Sequence, residues 1–280
     1  PKNGSYVHLA LDEVIRLERV EEAIERAGSV GKDPGASSRA LFAAGHAILW
    51  AAQREERFDE RDVHEWIIEL LTRAIALENE AEPAQRQRPV LVQGYVEVGF
   101  CHERLGDGDS ALHAYTEALG VDPDSDAALT ARGMLLMARA EVPRAREDFE
   151  RAIELGTPLV WPYLYLAFQG LKASEYERCI ELCRRGLVRT EDDRLRGALY
   201  EWMVISELML LRSPPSIVEE LFERALDMAP FNVRISRYRE SYVQREPVDV
   251  AELAWELTDE AANDNARREI LRRVAALAAA

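Results

Sequence analysis

Lysine is nearly absent from this 280-residue chain: Lys2, Lys32 and Lys172 stand beside 32 arginines. Cysteine is as scarce. Cys101, Cys179 and Cys183 are too few for a disulfide framework, and Cys179 and Cys183, one helical turn apart, read as small buried thiols. Positive charge is in deficit overall, with 35 Lys+Arg against 51 Asp+Glu and a net charge of −16. Such an excess of acid argues against a nucleic-acid backbone or an anionic membrane as the main partner. No apolar run approaches the roughly 18 residues of a membrane span, and no basic segment followed by a long apolar stretch opens the chain. The expectation is a cytoplasmic protein in a reducing compartment. Arginine in place of lysine, together with many alanines, points to GC-rich coding and a bacterial source.

The residues of catalysis are also missing as patterns. Five histidines, His8, His46, His64, His102 and His113, form neither His-Glu-x-x-His nor a Cys/His zinc spacing. Cys101 and His102 are adjacent on a helix and so point to different sides, a poor geometry for a nucleophile and its base. No phosphate-binding glycine loop and no Gly-x-Ser-x-Gly occurs. Gly106-Asp107-Gly108-Asp109-Ser110 has the look of a calcium loop but lacks a well-placed later Glu, and reads as a turn. Carboxylates spaced i, i+4, such as Glu65/Glu69 and Glu219/Glu223, stand beside arginines and read as solvated faces. The expectation is a protein without enzymatic activity, cofactor or metal.

What is present is a period. Gly99, Gly133 and Ala167 lie 34 residues apart; so do Ala111, Ala145 and Cys179, Tyr115, Phe149 and Cys183, and Ala118, Ala152 and Gly186. Small residues at fixed offsets let two helices approach closely, aromatics fill the space between neighbouring pairs, and Pro123 and Pro230 stop one helix before the next. A repeat of this length is the mark of stacked helix–turn–helix units, none of which buries its apolar face alone.

The residues at these offsets resemble the tetratricopeptide repeat (TPR) family. The fullest copy is 92–125, with Tyr95, Val98, Gly99, Leu105-Gly106, Ala111, Tyr115, Ala118 and Pro123; His102 departs from an aromatic slot. Residues 126–159 keep Leu129, Gly133, Ala145, Phe149 and Ala152 but place Thr157 where proline is expected. Residues 160–193 are weaker, with Cys179, Cys183 and Gly186 as soft substitutions. A clear copy returns at 199–232 with Trp202, Ile205, Ser206, Phe222, Ala225 and Pro230, after five extra residues around 191–198. A degenerate first unit covers 38–81, its turn enlarged by the charged stretch Gln53 to Asp62.

The resemblance implies an all-α fold: a right-handed TPR-type α-α superhelix, or solenoid, of about five helix pairs with extra N- and C-terminal helices. Residues 1–37 are expected to hold a helix over 5–28 and a flexible link in which Gly28 to Gly35 breaks the helix. The repeat domain is expected over 38–232 and capping helices over 233–280. Within those caps a helix over 233–245 precedes a break at Pro247, a short helix follows Asp249, and 266–280 is a helix-prone tail carrying Arg267, Arg268, Arg272 and Arg273 against Glu269.

The family's concave face is lined by positions 2, 5, 9 and 12 of each first helix. Here they fall at Arg39, Phe42, His46 and Leu49; Gln93, Val96, Phe100 and Glu103; Ala127, Thr130, Met134 and Met137; Trp161, Leu164, Phe168 and Leu171; and Tyr200, Met203, Glu207 and Leu210. Phe42, His46, Gln93, Val96, Phe100, Met134, Met137, Trp161, Leu164, Phe168, Tyr200, Met203 and Glu207 are the candidate peptide-binding groove. One branch of the family grips a C-terminal carboxylate with Lys, Arg and Asn; the matching positions here, Phe42, His46, Glu97, Ala127 and Ala131, lack that basic set. The lining is apolar and aromatic, and Val160–Leu171 carries no charge at all. A helix apolar all round is a buried helix, so something is expected to cover it. The cover is a partner's helix or extended peptide, the chain's own terminal helix, or a second copy. The implied role is a protein-binding scaffold or adaptor, with self-assembly, or a regulatory subunit whose groove its own helix covers, as the alternative.

Overall fold

The structure, a computed structural model, describes residues 19–54, 61–210 and 213–244. The first part of the helix expected over 5–28, the interior of the charged stretch 53–62 and all segments after Pro247 lie outside these residues. The described chain is built of α-helices, twelve of them, with one 3-10 turn and no strand. It divides into two compact units between Asp148 and Phe149.

The first unit begins with α1 (Val20–Lys32), α2 (Ser38–Arg54) and α3 (Arg61–Glu80). In α1, Ala23, Ala27 and Val30 are buried at i, i+4 and i+7, a narrow apolar seam that packs on α2. The glycines read as a flexible connection are helical as far as Lys32. They are packing sites rather than punctuation: a Cβ on Gly31 would stand 3.0 Å from Leu70 Cδ2, and one on Gly28 would meet the Trp66 ring. Arg73 then closes the helix end, donating to the Gly31 carbonyl at 2.6 Å and to that of Asp33 at 3.2 Å. Helix α2 takes in Gln53 and helix α3 takes in Arg61 and Asp62, so both ends of that charged stretch are helical.

After the 3-10 turn Pro83–Gln85, α4 (Arg88–Arg104) pairs with α5 (Gly108–Val121), and α6 (Asp126–Ala138) is followed by α7 (Val142–Glu154). Glu78, buried at the end of α3, ties this unit's connections together by accepting from Ser38 Oγ at 2.5 Å and from the Gln87 amide at 2.6 Å. In the α4–α5 pair a Cβ on Gly99 would lie 2.5 Å from the Tyr115 ring, so glycine sets the interhelical distance there. Asp107 caps α5 through the Ser110 amide and hydroxyl, and these hydrogen bonds hold its carboxyl below the usual range. Arg132 of α6 forks onto Asp148 of α7 at 2.8 and 2.7 Å.

The second unit runs from Phe149 through α8 (Trp161–Lys172), α9 (Tyr176–Leu187), α10 (Asp193–Leu210), α11 (Pro215–Met228) and α12 (Val233–Gln244). The five extra residues noted near 191–198 are absorbed by a longer first helix: α10 has 18 residues, α8 only 12. Phe149 stacks on Tyr165 with ring centroids 5.2 Å apart. Thr157, found where the repeat expects proline, is a junction: its carbonyl accepts from Tyr163 and from Arg189, whose guanidinium lies over the Tyr163 ring.

One backbone feature recurs at the repeat period. Gly106, Ala140 and Ser174, 34 residues apart, all have positive φ (79°, 59° and 61°) and end α4, α6 and α8. In each case this residue's amide donates three residues back and the next amide donates five residues back, as in Asp107 to His102, Glu141 to Leu136 and Glu175 to Gly170. Only the first copy has the glycine this conformation favours.

Candidate functional site

In the first unit, α2 and α4 bring the candidate residues together. Phe42 and His46 are one turn apart on α2 with their rings stacked. His46 Nδ1 lies 2.8 Å from Glu97 Oε1 on α4. Glu97 is 0% exposed, and its second oxygen, Oε2, meets no hydrogen-bond partner. A buried carboxylate oxygen without a donor is costly, so the site has an acceptor in reserve. Gln93, Val96 and Phe100 are buried on the same helix, and His64 of α3 meets the Phe100 ring edge-on. Cys101, one turn beyond Glu97, is fully buried; burial, then the charge of Glu97, pushes its thiol well above its ordinary value. On α6, Met134 is buried and Met137 half-buried, and the buried Thr130 hydroxyl also has no partner.

In the second unit, Trp161 and Leu164 are each 1% exposed and Met203 is buried, while Phe168 and Tyr200 are half-buried. Phe168 lies against Trp202, ring centroids 5.6 Å apart, and beneath the Lys172 ammonium. Glu207 accepts from Ser213 Oγ at 2.6 Å, and Arg184 Nη2 is 4.0 Å from its other oxygen. A further acid, Glu201, was not singled out by sequence reasoning. It is 6% exposed and held by Asn232 at 2.9 Å and by Arg234 at 2.9 and 3.0 Å. Its only signal in the sequence is an acid inside the apolar run Leu199–Leu208.

Most of the candidate residues are therefore closed within the chain rather than open to solvent. Chemically, the first-helix faces offer large apolar and aromatic surfaces with a few buried acceptors. Among the described residues no group of three His, Cys, Asp or Glu is arranged to hold a metal ion, and no helix is long and apolar enough to cross a membrane.

No family model and no curated protein matches this sequence. Solved structures are similar to it in fold. The C-terminal part of a TPR repeat-containing protein from Cytophaga hutchinsonii is 12% identical, with a TM-score of 0.57 over 95% of this chain and 94% of that one. BtubC from P. vanneervenii is 15% identical, with a TM-score of 0.52 over 89% of this chain and 98% of that one. At these identities the likeness is one of architecture: the resemblance read in the repeats extends to an all-α fold of the TPR type.

Proposed function

We propose that this protein is a non-catalytic scaffold or adaptor that binds another protein through the first-helix faces of its repeats. The ligand is a helix or extended segment whose apolar side chains replace those now covering Phe42, Val96 and Phe100, or Trp161, Leu164 and Phe168. The observation that carries this reading is the makeup of the faces: contiguous apolar and aromatic side chains, punctuated by an acceptor that the chain leaves unpaired at Glu97. Peptide grooves use that division of labour, with burial giving affinity and a few polar groups giving register. Met134, Met137 and Met203 add side chains that repack around differing surfaces. The excess of acid favours a segment with basic residues over a nucleic acid or an anionic membrane.

A second reading has one observation in its favour. The faces are buried within the chain itself, which suits a regulatory subunit covered by its own terminal helix. Self-assembly through the same faces is the remaining version, and sedimentation at varied concentration detects it as a concentration-dependent mass.

The test is affinity capture from an extract of the native host, with wild type beside the Met134→Glu and Phe168→Glu variants, one for each unit. A protein retained by wild type and lost from a variant of unchanged helicity supports the scaffold reading. Retention of the same set by all three, or of none, removes the faces as the binding surface.

A further inference from the structure

No further inference is drawn: the strongest candidate, the exposed apolar patch of Phe231, Val233 and Val243 on α12 and the turn before it, carries none because nothing in the structure shows what covers it.

Discussion

Glu97 in the first unit and Glu201 in the second are both acids on first helices, and both are buried among apolar residues. Glu201 has two dedicated partners, Asn232 and Arg234, from the turn and helix that follow its own hairpin. Glu97 has one, His46, and an oxygen to spare. A buried acid whose every lone pair is met by its own unit fastens that unit. One left half-met is a cost the fold alone does not justify, and the place to look for a ligand.

The sharpest way to break this comparison is to strip Glu201 of its partners. Arg234→Met with Asn232→Ala is expected to cost about 3 kcal/mol, since it leaves a buried charge uncompensated. Urea unfolding followed by circular dichroism measures it, and a loss below half that value would make Glu201 as expendable as Glu97. A smaller contrast comes from removing charge rather than partners. Glu201→Gln is expected to lose about 2 kcal/mol with its charge-assisted bonds, whereas Glu97→Gln keeps an acceptor for His46 and stays within about 0.5 kcal/mol of wild type or gains stability. Equal losses at the two sites would mean that Glu97 is as fully satisfied as Glu201. The smallest effect sharpens a different likeness between the units. Ala140→Gly and Ser174→Gly relieve left-handed backbone at equivalent turns and are each expected to raise stability by about 0.5–1 kcal/mol, seen as a higher melting temperature. Destabilisation by either would show that the side chain contributes more than the conformation costs.

The hairpins were legible in the sequence because their determinants repeat: Gly99 against Tyr115 is a packing contact written as two letters at fixed offsets. Boundaries were less so. Gly28 and Gly31 read as a break because glycine disfavours a helix in isolation, and only the approach of Trp66 and Leu70 makes them helical. The weaker letters of 160–193 still mark a hairpin, since Cys179, Cys183 and Gly186 are small enough for the same close packing. For the candidate faces, register told which residues share a surface, as with Phe42, His46 and Phe100. It did not tell that Phe42 and Phe100 are buried, nor that Glu97 keeps a buried oxygen without a partner. The same holds for Glu201: its partners lie 31 and 33 residues away in the chain, outside any local pattern.

The turns at Gly106, Ala140 and Ser174 carry one more consequence, and it concerns descent. A duplicated unit can drift at the very residue that once justified its turn, provided the two backbone hydrogen bonds across the helix end still form. Ala140 and Ser174 hold the same left-handed conformation as Gly106 without being glycine. Copies of a repeat should therefore be counted in dihedral angles, which keep the period of 34 here where the letters have begun to lose it.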